Sequence, residues 1–169
     1  MRASPAARPS ARTTAQARYD EGEALRKQGK WDDAMTAYRA AVELNPEMTE
    51  AWFAIGASEA GRNGHQSCEA MYAPLQKCVE LCPGHAAAHC CLGGLLTHFP
   101  PRKDVVRAEE HFRRAIRLDP KCAEAHLGLS FVLEDRKNLD GAIREMFDCM
   151  RLSGDTDGTG KARVAKLLK

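Results

Sequence analysis

The chain has 169 residues, of which 44% are apolar, 28% charged and 6% aromatic, with a formal net charge of +2; that is length enough for one domain, or a short array of repeats, with a real core. No apolar run approaches the roughly 20 residues of a membrane span, and no apolar stretch follows the N-terminal arginine as it does in a secretory signal. Seven cysteines at irregular spacing exclude a regular secreted disulfide scaffold and point to reduced thiols, in the cytoplasm or, alternatively, in an organelle matrix.

Residues 1–14 hold Arg2, Arg8 and Arg12, no acid, and Pro5 and Pro9 among alanines and serines. That composition cannot build a core and reads as a disordered tail; the alternative is an organelle targeting segment. Eight helices are then expected in chain order, over residues 16–28, 31–44, 48–62, 67–81, 85–98, 104–118, 122–136 and 139–152, with no strand. The second helix of each pair carries an apolar stripe at helical spacing: Ala34, Tyr38, Ala41 and Leu44; Met71, Leu75, Cys78 and Leu81; Ala108, Phe112, Ala115 and Leu118; Ala142, Met146, Cys149 and Leu152. The first helix of each pair carries a small residue, Gly22, Gly56, Gly93 or Ser130. A glycine inside a helix costs about 1 kcal/mol against alanine, so its recurrence calls for close helix packing.

Three helices end alike, at Val42–Pro46, Val79–Pro83 and Ile116–Pro120, with prolines 37 residues apart. Proline donates no N–H and disfavours helix at the residue before it, so each marks a stop. The fourth ending has Ser153 where the others have proline.

These residues resemble the tetratricopeptide repeat family, a 34-residue helix–turn–helix unit, over residues 15–152. The resemblance rests on Ala34, Tyr38, Ala41 and Pro46; on Trp52, Ile55 and Gly56; on Leu92, Gly93, Leu96, Ala108, Phe112, Ala115 and Pro120; and on Leu129, Ser130, Leu133 and Ala142. It implies an all-α, right-handed α-solenoid of four repeats, over residues 15–48, 49–85, 86–122 and 123–152. The departures are Glu21 and Glu59 in apolar slots, and three extra residues in each middle repeat. The extra residues fall near Gly61–Ser67 and Phe99–Lys103, as neutral loop insertions or as a contact ridge.

The family's concave groove is lined by the first helix of each pair. Carried onto this chain it falls on Tyr19, Glu23, Phe53, Ala57, Cys90, Gly94, Leu127 and Phe131, with Glu50, Thr97, His98, Glu124, Glu134 and Asp135 on the outer turns. Such a groove is apolar in the middle and acidic at its rims. The resemblance therefore implies a non-catalytic adaptor, scaffold or assembly module for a protein or peptide segment with apolar anchors and basic flanks. Some relatives clamp the C-terminal carboxylates of heat-shock chaperones with basic residues and asparagines. Here the clamp slots hold Tyr19, Glu23, Ala54, Cys90 and Gly94, none of them a cation, which argues against such tails.

Cys78, Cys82, His85, His89, Cys90 and Cys91 lie within 14 residues. A packing role is expected: Cys78 and Cys149 sit in core slots as small hydrophobes, while His89 and His126 take the slot that Trp52 fills. The rival reading is a thiol- or zinc-responsive regulatory module built on Cys78–Cys91, with Cys90 as the reactive thiol because it should face the groove. No C-x-x-C exists, and neither cofactor nor metal site is expected. Catalytic motifs are missing as well, and His111 reads as part of a solvated face beside Glu109 and Glu110. Arg102, Lys103, Arg107, Arg113, Arg114 and Arg117 interleave with acids. Ion pairs such as Glu109–Arg113 and Glu110–Arg114 explain that stripe better than nucleic acid.

The stretch Ser153–Gly160 offers glycines before Lys161, but the first glycine of a phosphate loop would have to be Asp155, and Ala162 lacks the required hydroxyl. As a calcium loop centred on Gly158 it would end on Val164 rather than on a bidentate acid. It reads as a linker over residues 153–160. A capping helix is expected over 161–169, with Val164, Leu167 and Leu168 covering the open end of the array. The alternative for Lys161, Arg163, Lys166 and Lys169 is a basic patch for an acidic partner.

Overall fold

The structure is a computed structural model that describes residues 11–63, 68–98, 104–154 and 159–168. All the regular structure among them is α-helical: α1 (Ala11–Lys27), α2 (Trp31–Leu44), α3 (Thr49–Asn63), α4 (Cys68–Leu81), α5 (Ala86–His98), α6 (Val105–Leu118), α7 (Ala123–Asp135), α8 (Leu139–Ser153) and α9 (Thr159–Leu167). The chain divides into two compact units, Met1–Leu81 and Cys82–Lys169.

In the first unit α1 pairs with α2, α2 packs on α3, and α3 pairs with α4. Helix α1 is described from Ala11 on, ahead of the expected residue 16, so residues 11–14, expected in a disordered tail, are helical: the run Ala11–Ala15 holds neither proline nor glycine. It ends on Arg26 and Lys27, followed by Gly29 in the left-handed region at φ +73°, whose N–H bonds the carbonyl of Arg26 at 3.0 Å. The ring of Tyr38 fills the space that Gly22 leaves: a Cβ there would meet it at 2.5 Å. Gly56 opens the same space for Leu75, at 2.6 Å. Helix α4 contains Pro74, which the apolar stripe did not reveal as an interior proline; it removes one intrahelical hydrogen bond. Glu59, the acid in an apolar slot, is 2% exposed and faces Arg39 at 3.8 Å, whereas Glu21 is exposed and pairs with Arg18 at 2.8 Å.

In the second unit α5 pairs with α6, α6 packs on α7, α7 pairs with α8, and α5 also meets α7. Asp104 caps α6 by accepting from the Arg107 N–H at 3.1 Å, and Asn138 caps α8 by accepting from the Gly141 N–H at 3.0 Å. Phe112 is held between two glycines, one on each first helix. A Cβ at Gly93 would stand 2.8 Å from its ring, and one at Gly128 only 2.3 Å. Gly128 thus adds a contact of another kind, from α7 to the second helix of the preceding pair; Ser130, the expected small residue of the last pair, is buried and donates its hydroxyl to the Leu127 carbonyl at 2.7 Å.

The apolar stripes are buried in their first three positions in α2, α4 and α6, but the last leucine, at the helix end, is not: Leu44 is 40% exposed, and Leu81, Leu118 and Leu152 are partly exposed. The expected insertion sites lie mainly in 64–67 and 99–103, outside the described residues, although α3 runs on to Asn63. The expected linker is narrower at both ends. Helix α8 continues to Ser153 and ends on Gly154 at φ +68°, and α9 begins at Thr159. Helix α9 packs on α8 and buries Val164, while Leu168, one residue past its end, is 70% exposed rather than covering the array. No helix among the described residues is long and apolar enough to cross a membrane.

Candidate functional site

One local device recurs and orients the first helix of three pairs. The Trp52 indole N–H donates to the Pro46 carbonyl at 2.8 Å. The Nε2 of His89 lies 3.2 Å from the Pro83 carbonyl, and that of His126 lies 3.3 Å from the Pro120 carbonyl. A histidine replaces tryptophan here because it too offers a ring N–H at that reach. The proline that stops one helix therefore also presents the acceptor that fixes the next. The second ring nitrogens differ: that of His126 meets the Glu145 carboxylate at 2.7 Å, and that of His89 meets Nδ1 of His111 at 2.9 Å. If His89 donates from Nε2, its Nδ1 accepts, and His111 supplies the proton. His111 is thus half-buried in a neutral pair, not part of a solvated face; burial first, then His89, pushes its pKa down to about 4.

In the first unit, Glu50 is exposed on the first turn of α3, and Phe53 and Ala57 follow it half-buried on later turns. Tyr19 is also half-buried, its ring 5.8 Å from that of Tyr38. Glu23 is not an open rim acid. Its two oxygens take Arg26 at 2.8 and 3.2 Å, and one also accepts the Tyr38 hydroxyl at 2.6 Å. The Arg26 guanidinium holds that carboxyl below its usual range. Ala54, counted among the clamp slots, is 6% exposed and belongs to the core.

In the second unit, Glu124 is exposed on the first turn of α7, and Leu127 follows half-buried. Gly94 has open space where a Cβ would stand. Thr97 is buried rather than on an outer turn, its hydroxyl donating to the Gly93 carbonyl at 2.8 Å. Asp135 is exposed, and the side chain of His98 lies outside the described residues. Phe131 and Glu134 are engaged by the C-terminal helix: the Arg163 guanidinium sits 4.1 Å over the Phe131 ring and pairs with Glu134 at 2.5 Å. Arg163 is thereby withdrawn from the alternative basic patch. On α6, Glu109 pairs with Arg113 at 2.8 Å, as expected, and also with Arg136, the residue that follows α7.

The contiguous set Cys78–Cys91 does not converge as a ligand set. Among the described residues the groups that could hold a metal ion are Cys90, Cys122 and Glu124, and His126, Glu145 and Asp148. Cys78 is fully buried in the core stripe of α4. Cys90 is not an activated thiol: burial, then the neighbouring Cys122 and Cys91, raise its pKa, and burial with Glu124 pushes Cys91 up to about 11.

Within each unit, helical hairpins whose first helices are tied to a preceding proline carbonyl and whose glycines admit a large side chain define a helical-repeat protein. The chain carries tetratricopeptide repeats: it matches the TPR repeat over residues 22–58 and the Tetratricopeptide repeat over residues 104–148. Its fold is the all-α solenoid class of such repeats. It is similar to the crystal structure of MamA protein (21% identity over 92% of this chain and 86% of that chain, TM-score 0.73). It is also similar to MamA 41-end from Desulfovibrio magneticus RS-1 (22% identity over 85% and 77%, TM-score 0.68). Pseudomonas aeruginosa pilF matches at 18% identity over 95% of this chain and 70% of that chain, with a TM-score of 0.75. No curated protein sequence matches the chain significantly.

Proposed function

We propose that the protein is a non-catalytic interaction module, an adaptor or assembly factor, whose first-helix faces bind a peptide segment with apolar anchors and basic flanks. One observation supports this most. The same pair, an exposed acid on the first turn and a half-exposed apolar side chain one turn later, occurs as Glu50–Phe53 on α3 and again as Glu124–Leu127 on α7. Three residues apart on a helix, the two share a face. Such a pair offers an apolar side chain a place to lose water and offers a neighbouring Lys or Arg a carboxylate. Ala57 extends the first pair along α3. The tying of Glu23 to Arg26, and of Phe131 and Glu134 to Arg163, moves the reading away from those positions and from Tyr19. The clamp slots carry no cation, which counts against carboxylate-terminated chaperone tails as ligands.

Display selection of random peptides on the full chain tests this reading. Enriched peptides should carry an apolar residue flanked by Lys or Arg. Their affinity should fall about tenfold or more in Phe53→Ala, as truncation of an aromatic anchor does, and should fall in Glu50→Lys. Enrichment of acidic C-termini, or unchanged affinity in both folded variants, would refute it.

A further inference from the structure

We propose that Cys90, Cys122 and Glu124, which the packing of α5 against α7 brings together, form a binding site for Zn2+. The two Sγ atoms and a Glu124 carboxylate oxygen all lie within 4.8 Å of one another. Around a tetrahedral zinc, with bonds of about 2.3 Å to sulfur and about 2.0–2.2 Å to oxygen, such donors stand about 3.5–3.8 Å apart. Closing that difference takes side-chain rotation rather than helix movement. The parts are also suitably held. Cys122 precedes α7 at its N-cap position, yet its side chain makes no capping hydrogen bond, and its thiol is within hydrogen-bond reach of that of Cys90. Glu124 is exposed, so the ion has a path in from solvent and one coordination position left for water. Binding releases the two thiol protons to solvent and leaves two thiolates and one carboxylate on the ion.

The second convergent group does not compete. In it the His126 ring is already engaged on both nitrogens, by the Pro120 carbonyl and by Glu145. That is the packing device shared with Trp52 and His89. The zinc site goes beyond peptide binding and needs no peptide to fill it; the two share Glu124, so an ion there takes up the carboxylate that the α7 pair would otherwise offer a peptide cation.

The test is titration of the reduced full chain with Co2+ as an optical stand-in, followed by displacement with Zn2+. One ion per chain should bind, with a thiolate-to-cobalt charge-transfer band that Zn2+ abolishes. Cys90→Ser and Cys122→Ser should each lose the band. Glu124→Gln should weaken binding by at least about tenfold, the lower limit for even an outer-shell partner of a metal ligand. Cys82→Ser should leave binding unchanged. Circular dichroism shows whether each variant folds. Should a cysteine variant unfold, the wild type still decides: Zn2+ must slow alkylation of Cys90 and Cys122, read by mass spectrometry, and leave Cys82 unaffected. Absence of the band from folded wild type would overturn the proposal. So would its persistence in folded Cys90→Ser/Cys122→Ser, or an ion lost from Glu145→Gln but kept by Cys90→Ser.

Discussion

Gly93 and Gly94 are neighbours on α5, and alanine at each should act in opposite directions. In a helix interior, replacing glycine by alanine gains about 1 kcal/mol from propensity alone. At Gly94 nothing lies within 4 Å of the new Cβ, so the full gain should appear. At Gly93 the Cβ would stand 2.8, 2.9 and 3.0 Å from three carbons of the Phe112 ring, whereas carbon atoms at rest sit about 3.5–4.0 Å apart. The ring must retreat by roughly 0.7 Å, but it is 3% exposed and lies against Gly128 on its other side. Overpacking of this kind costs about 1–3 kcal/mol. With the ring held on both sides the upper half of that range applies, leaving Gly93→Ala destabilised by about 1–2 kcal/mol after the propensity gain. The two variants should therefore differ by about 2–3 kcal/mol, or at least about 4 °C in melting temperature for a chain of this length. Thermal unfolding by far-ultraviolet circular dichroism reads this directly. A Gly93→Ala protein as stable as wild type, or a Gly94→Ala protein less stable, would refute the close approach of α5 to Phe112. Gly128→Ala, with two ring carbons at 2.3 Å, should be worse than Gly93→Ala, and Phe112→Leu should restore part of its loss.

Two further perturbations follow from buried polar groups. Tyr38→Phe removes the 2.6 Å hydrogen bond to the Glu23 carboxylate and should cost about 1.5–3 kcal/mol, the range for a hydrogen bond to a charged group; chemical denaturation measures it, and a neutral result would show that the bond is not formed in solution. The His89–His111 pair sets a pH dependence. Both pKa values are lowered in the folded chain, that of His111 from 6.5 to about 4, so the unfolded chain binds protons first as pH falls. Stability from the pair is present in full above pH 6.5 and is lost between there and about pH 4. The slope is at most about 1.4 kcal/mol per pH unit for each histidine, and roughly half that after solvent screening of these partly exposed rings. Melting temperature between pH 7 and 5 should fall more steeply for wild type than for His89→Gln/His111→Gln; equal slopes would contradict the pairing.

The helices were legible because two independent signals agreed in the first three repeats, the apolar period of 3.6 residues and the proline after the last leucine; in the fourth the period stood alone. The glycine slots were legible for the same reason, since Gly22, Gly56 and Gly93 recur in register. Gly128 was hidden because Ser130 occupied the expected slot and Phe112, its contact, lies on another helix. Contacts between helices carry no local mark, and this separates the predicted site from the observed one. Cys90 looked like part of a run with its sequence neighbours, yet it meets Cys122, 32 residues on at the start of α7. His111 looked solvated among charges because only the stacking of α6 beside α5 brings it to His89. Glu134 and Phe131 fell on groove positions by register, but register does not reveal that Arg163 reaches them; the Glu23–Arg26 pair, three residues apart on α1, was open to the same spacing argument as Glu109–Arg113.

Photo-crosslinking of a selected apolar–basic peptide to the full chain tests the binding face most directly. Peptides carrying a photoreactive residue at the anchor position, digested and sequenced by mass spectrometry after irradiation, should label residues 49–57 or 124–131, on α3 or α7. Phe53→Ala should abolish labelling within 49–57. Crosslinks confined to α2, α4, α6 or α8, the second helices of the pairs, would place the ligand elsewhere and contradict binding by the first-helix faces.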